Sequence, residues 1–164
     1  MGKSGSNKSF STHKLNKFRI SELKAVSDIL YDCGRDMAVK LDLHHWDNSH
    51  FKNWVVVILC ALKNDIYLIY SDGKPVATFQ THKNGQAMVF HKLATSPLCS
   101  GKGIGSYCLA EVEHMAKEAK CSEVMCEVYE KNEYVKNFYE HREYTICGTV
   151  QTVKYRELKM RKEI

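Results

Sequence analysis

The chain predicts a mixed α/β fold, with a mostly antiparallel central sheet and helices on both faces. Two stretches carry that expectation. Residues 65–97, "DIYLIYSDGKPVATFQTHKNGQAMVFHKLATSP", read as three strands joined at Asp72-Gly73 and Asn84-Gly85, the strongest short-range hairpin signals. Directly after them, "SGKGIGSYCLAEVEHMAKEAKCSEVMCEVY" runs from a glycine turn through a helix into another strand, which makes one crossover unit.

Each element follows in order. Residues 1–9, "MGKSGSNKS", are rich in Gly, Ser and Lys and predict a disordered lead. They also match M-G-x-x-x-[ST], the N-myristoylation pattern, at Gly2 and Ser6, which a frayed terminus explains equally well. Residues 10–164 then make one domain, an ordinary size for a single core. Ile20, Leu23, Val26, Ile29 and Leu30 recur at helical spacing, with Ser21 as N-cap, and predict one or two helices over 21–42, broken near Gly34. "DLHHWDNSHFKNW" has no period and reads as a loop. The helix after the glycines buries Ile104, Tyr107, Cys108, Val112, Met115, Ala116 and Ala119 and solvates Glu111, Glu113, His114, Lys117 and Glu118. "SEVMCEVY" is a strand, and Asn132 caps a short helix with Val135, Phe138 and Tyr139 on one face. "TICGTVQTVKYRELKMR" closes the chain as one or two strands split at Gly148. The order is strand, helices, three strands, helix, strand, helix, strand.

Composition excludes several classes. The longest apolar run, "WVVVILCAL", is far short of the roughly 20 residues a membrane helix needs, so no membrane partner is expected. Seven cysteines are an odd number without C-x-x-C or zinc spacing, which points to free thiols in a reducing, cytoplasmic compartment and to no metal site. His44, His45 and His50 read as polar loop residues rather than metal ligands. The net charge of +5 is scattered and lacks aromatic interleaving, so it reads as a basic solvated surface rather than a nucleic-acid stripe.

The glycines at 101, 103 and 105 are the chemical signal. They free the backbone to bend sharply and let a ligand approach the unsatisfied N–H groups of a starting helix, whose dipole adds positive potential. That combination predicts a phosphate or pyrophosphate site, with Lys102 adding charge. A dinucleotide fingerprint G-x-G-x-x-G would use Gly101, Gly103 and Ser106, with Glu123 at about the expected distance. Its third glycine is missing, Pro97 interrupts the approach, and only one strand-helix-strand unit exists.

"LATSPLCSGKGIGSYCLAEVEHMAKEAK" followed by "VMCEVYEKNEYVKNFYEHREY" resembles the acetyl-CoA-binding core of the GCN5-related N-acetyltransferase (GNAT) superfamily. That family's signature is Arg or Gln, two residues, Gly, one residue, then Gly or Ala. Gly103 and Gly105 match it, and Ser100 stands where the Arg or Gln is expected. Downstream, Asn132, Val135 and Tyr139 fit the family's pattern, while Glu143-Tyr144 replaces its usual Gly-Phe pair. The resemblance runs over residues 65–148 and implies a GNAT-like fold and an acetyltransferase that takes acetyl-CoA as co-substrate and acetylates a primary amine of a small molecule or peptide by direct attack. It implies that the backbone of Leu93, Ala94 and Thr95 pairs with the pantetheine arm, that Ser100, Gly101, Lys102, Gly103, Ile104, Gly105 and Ser106 hold the pyrophosphate with Asn132 on the same cofactor side, and that Tyr139 is the acid. The base stays open between His91, Glu127, Glu130 and water. The irregular loop, through His45 and Trp46, is expected to form the acceptor pocket. Two other readings are a CoA-binding module that has lost chemistry and an acetyltransferase for an RNA-linked amino group. The expected partners are the co-substrate, the amine and, for assembly, a second copy.

Overall fold

The computed structural model describes residues 9–47 and 49–164; the segment 1–9 expected to be disordered, with Gly2 and Ser6, lies outside them except for Ser9. The elements are β1 (Phe10–Lys14), α1 (Ile20–Leu41), α2 (Trp54–Ala61), β2 (Asp65–Ser71), β3 (Lys74–Asn84), β4 (Ala87–Thr95), α3 (Ile104–Glu118), β5 (Glu123–Tyr129), α4 (Glu133–Glu140), β6 (Thr145–Gln151) and β7 (Arg156–Glu163). They build a seven-stranded sheet in the order β1-β2-β3-β4-β5-β7-β6. Every neighbouring pair is antiparallel except β4 and β5.

The meander forms where the turn chemistry placed it. Asp72 and Gly73 both take positive φ, as the centre of a type I′ turn requires. One core lies between the sheet and the α3 and α4 layer, built from Phe79, Phe90, Leu109, Val112, Val124, Tyr139 and Met160 among others. The other lies on the opposite face, where Leu23, Val26, Leu30 and Val57 of α1 and α2 pack on Ile66 and Leu68. Each such side chain contributes roughly 1.5–3 kcal/mol by leaving water.

Four local expectations change. Helix α1 starts at Ile20 behind Arg19, which gives no side-chain cap, so Ser21 sits inside the first turn. The start is held instead by the Glu22 carboxylate, which accepts the N–H of Asn16 at 2.7 Å. Gly34 does not break the helix, which runs 22 residues without interruption. It is there for close packing, since a Cβ would lie 2.4 Å from the Trp46 carbonyl oxygen. The "HFKNW" end of the supposed loop leads into α2, a helix with no amphipathic period to reveal it, whose Asn53 cap accepts the N–H of Val55 at 3.0 Å. Gly148 lies within β6, and the last two strands separate instead at Thr152, whose hydroxyl accepts the N–H groups of Lys154 and Tyr155. Among the described residues no helix is long and apolar enough to cross a membrane.

Candidate active site

The site begins with a failure of pairing. Strands β4 and β5 are joined only at Ala87, Met88 and Val89 against Glu123, Val124 and Met125. Beyond that seam each stays bonded to its outer neighbour, β4 to β3 and β5 to β7. The inner edges of residues 90–95 and 126–129 therefore face each other unpaired, and their N–H and C=O groups are left for a ligand. A β-bulge sharpens the opening: Lys92 and Leu93 stand against Phe79 alone between the pairs Thr78↔Ala94 and Gln80↔His91, and Lys92 takes φ 47°. The stretch Leu93, Ala94 and Thr95 lies on this free edge, with Ala94 buried against the α1 side. Open α/β sheets bind ligands at such a point, where the strand order changes.

The glycine turn lies between the end of β4 and α3. Gly101 and Gly103 take φ 74° and 77°, and a side chain at either would meet no atom within 4 Å, so the glycines are required by backbone conformation and not by crowding. Gly103 is the N-cap of α3 and has no side chain to satisfy the first amides. The first turn's N–H groups, on Ile104, Gly105 and Ser106, thus point outward as donors. Lys102 turns its ammonium to the Leu98 carbonyl at 3.4 Å, and Ser100 ends a single 3-10 turn over Pro97–Cys99. Gly105 is a different case: a Cβ there would lie 3.4 Å from the Phe138 ring, an ordinary contact, which marks how closely Phe138 packs on the start of α3.

Sequence reading missed Arg142. Its guanidinium lies 3.8 Å from the centre of the Phe138 ring, donates to the Phe138 carbonyl at 2.9 Å and donates to the Ser106 hydroxyl. No residue spacing announces this contact, which exists only once α4 has docked on α3.

Tyr139 sits at the vertex of the opening. Its ring packs on Phe90, the first residue of β4 past the seam, at 5.6 Å, and on Phe138 and Tyr144. Burial holds its phenol well above the usual range, with the neighbouring Cys126 thiol adding to the effect. It therefore carries its proton at neutral pH. Asn132 is almost fully buried and caps α4, accepting the N–H of Val135 at 3.1 Å, while its amide reaches the Met37 sulfur at 3.7 Å. Helix α1 thus spans the mouth of the opening, from Met37 back to Cys33, which bonds the Thr95 backbone. Burial pushes the Cys33 thiol up to about 11, so it stays a thiol.

The face opposite Tyr139 gathers the remaining candidates. Val124, Cys126 and Val128 point into the α3 core, which leaves Glu127 and Tyr129 on the α1 side. His91 lies on that same side of β4, across the opening from Glu127. Its Nε2 pairs with His82 Nδ1 at 3.2 Å, and burial, aided by the nearby His82 and Lys92 charges, lowers its pKa to about 4. His45 packs at a tilt on Tyr129 at 4.5 Å and on Trp46 at 6.0 Å, and edge-on to Tyr155 at 6.0 Å. Its Nδ1 is buried with no hydrogen-bond partner among the described residues, and burial lowers its pKa to about 4. Trp46 faces Phe51 and packs partly into the α1 core. Glu157, a second residue the sequence reading missed, pairs with Tyr129 across β5 and β7. Burial first and the Glu127 carboxylate second raise its pKa above the ordinary 4.5. Strand pairing across residues distant in sequence creates this carboxylate pair, and no motif records it. His44 is held by Asp42 and Asp47.

Comparison with known proteins adds a frame. A family model described as "Acetyltransferase (GNAT) family" matches residues 23–144. A search of curated protein sequences finds no match. Among solved structures the chain is similar to the ribosomal-protein-S18-alanine N-acetyltransferase from Escherichia coli, with a TM-score of 0.73 at 13% identity over 95% of this chain and 94% of that one. It is also similar to a PaiA N-acetyltransferase from Thermoplasma acidophilum in complex with coenzyme A, with a TM-score of 0.77 at 14% identity over 95% and 99%. An aminoglycoside 6′-N-acetyltransferase complexed with coenzyme A gives a TM-score of 0.67 at 10% identity over 93% and 96%. Identities this low speak for the fold.

Proposed function

Because the chain belongs to the acetyltransferase (GNAT) family, we propose that it moves the acetyl group of acetyl-CoA to a primary amine of a small molecule or peptide by direct attack in a ternary complex. The observation that carries this is the opening between β4 and β5 beside an uncapped, glycine-built helix start. A pantetheine arm has amides that can pair with the free edge at Leu93, Ala94 and Thr95, and a pyrophosphate suits the open donors of Ile104, Gly105 and Ser106. An edge N–H near the bulge would polarise the thioester carbonyl.

Two supports favour direct transfer. The thiols beside the opening, Cys33 on α1 and Cys126 on β5, are both kept protonated by burial and are poor nucleophiles. The acceptor face carries aromatic rings, from His45, Trp46, Tyr129 and Tyr155, next to the carboxylates of Glu127 and Glu157, an environment that draws in an ammonium group. Once the amine is neutral, its lone pair attacks the carbonyl carbon and forms the C–N bond. The C–S bond then breaks, the thiolate takes the Tyr139 proton, and the nitrogen loses its proton through water to the Glu127 and Glu157 pair. The raised phenol pKa does not rule out this donor, since a thiolate in the same apolar vertex is raised by the same desolvation. His91, held neutral with a pKa near 4, is a weaker base than the carboxylate route supplies.

Titration calorimetry with acetyl-CoA, followed by a screen of amines for acetyl transfer, tests the reading. Saturable binding and acetylated product support it. Binding without transfer to any amine would leave a CoA-binding module, and no binding would remove the cofactor assignment.

A further inference from the structure

We propose that Arg142 supplies the guanidinium that grips the pyrophosphate of acetyl-CoA at the start of α3; this rests on the cofactor reading above. Ser100 stands where the resembled signature carries Arg or Gln, and Lys102 is turned to the Leu98 carbonyl. The local sequence of the turn therefore brings little side-chain cation to its open amides. Tertiary packing brings one from just past the end of α4.

The placement is built in three contacts. The Phe138 ring lies against the first turn of α3, 3.4 Å from where a Cβ of Gly105 would stand. Arg142 comes one helical turn after Phe138 and lays its guanidinium over that ring at 3.8 Å. It then folds back to the Phe138 carbonyl and to the Ser106 hydroxyl. Ser106 is the third residue of α3, so the cation borders the same turn whose N–H groups lack partners. Two of the five guanidinium N–H donors are used to fix its plane, and the others are left.

That arrangement needs an anion. Arg142 is partly buried, and no carboxylate pairs with its guanidinium among the described residues. It stands beside the positive end of a helix of 15 residues, which repels it unless a negative charge sits between them. A planar fork already fixed by stacking and two hydrogen bonds binds phosphate oxygens with little further loss of rotamer freedom. The Ser106 hydroxyl accepts from Arg142 and keeps its own proton to donate to the same group.

The test uses the full chain and three thioesters: acetyl-CoA, its dephospho form without the 3′-phosphate, and acetyl-pantetheine without any nucleotide. Affinities come from calorimetry for the first two and from NMR shift titration for the weak third. Arg142→Gln should weaken acetyl-CoA and the dephospho form alike, by about ten- to a hundredfold. It should leave acetyl-pantetheine unchanged and flatten the salt dependence of acetyl-CoA binding. Arg142→Lys should restore part of the loss, because it returns the charge without the fork. Ser106→Ala, a milder change that serves if Arg142→Gln does not fold, should weaken both nucleotide thioesters several-fold in the same pattern.

Equal acetyl-CoA affinity in the wild type and Arg142→Gln overturns the proposal. So does a loss that vanishes with the dephospho form, which would send the guanidinium to the 3′-phosphate, or an equal loss with acetyl-pantetheine, which would make Arg142 a packing residue. A wild type that binds none of the three removes the cofactor reading itself and this proposal with it, an outcome separate from the others.

Discussion

Among single residues, the glycines divide by cause, and their substitutions should divide with them. Gly103 takes a left-handed backbone in open space, so Gly103→Ala pays about 1–2 kcal/mol in conformation and tilts the first amides of α3. We expect acetyl-CoA affinity to fall at least tenfold by calorimetry while circular dichroism shows a folded chain. Gly105→Ala meets only the edge of a ring at 3.4 Å and should cost less than about 1 kcal/mol. Tyr139→Phe keeps every ring contact and loses only the proton, so kcat should fall about a hundredfold with the acetyl-CoA Kd unchanged. The glycines were legible in the sequence because a backbone requirement leaves a local mark. Arg142 and Glu157 were not, because each gains its meaning from a neighbour 36 or more residues away or from a strand paired in space.

Elements, rather than residues, set what the sequence could reveal about architecture. The hairpin at Asp72-Gly73 and the capped α4 were readable because turn and cap chemistry is local, while the second hairpin turns on Gly85 and Gln86, one residue past the Asn84-Gly85 signal. Helix α2 was not, since an all-apolar run has no face to show. Gly34 misled as a breaker because its role is contact between α1 and the following loop. Gly34→Ala would push a Cβ to within 2.4 Å of the Trp46 carbonyl oxygen, and it should lower stability by about 2 kcal/mol or more in urea unfolding by displacing the His45 loop. The β5 and β7 pairing makes a second element-level prediction. The folded chain raises the Glu157 pKa above 4.5, so this residue's contribution to stability is present at low pH and is lost as pH rises through the folded value. Glu157→Gln should therefore stabilise the protein at pH 7, by no more than about 1 kcal/mol for this half-exposed group, and give no gain at pH 4. In the acetylation assay, kcat/KM should fall on the acid side with an inflection above pH 4.5, and that limb should disappear in Glu157→Gln.

Across the whole molecule, the layered sheet with helices on both faces was legible, because the succession of a meander and one crossover admits few arrangements. The place where the sheet parts was not, because a pairing that stops after three residues has no sequence signature. A global prediction concerns acid. His45 and His91 are held neutral with pKa values of about 4 against an ordinary 6.5, so the unfolded chain takes up their protons first. The histidine contribution to stability should be flat above pH 6.5 and fall as pH drops toward 4, and His91→Gln should remove part of that fall in melting experiments. The parted strands have one more consequence. A sheet of seven strands ordinarily has two edges, but this one has four, two at its rims and two face to face at its centre. Amides at 90–95 and 126–129 that point into the gap should exchange with deuterated water like those of a rim, although residues on both sides of them are buried. A ligand that bridges the gap would make the two half-sheets exchange as one body.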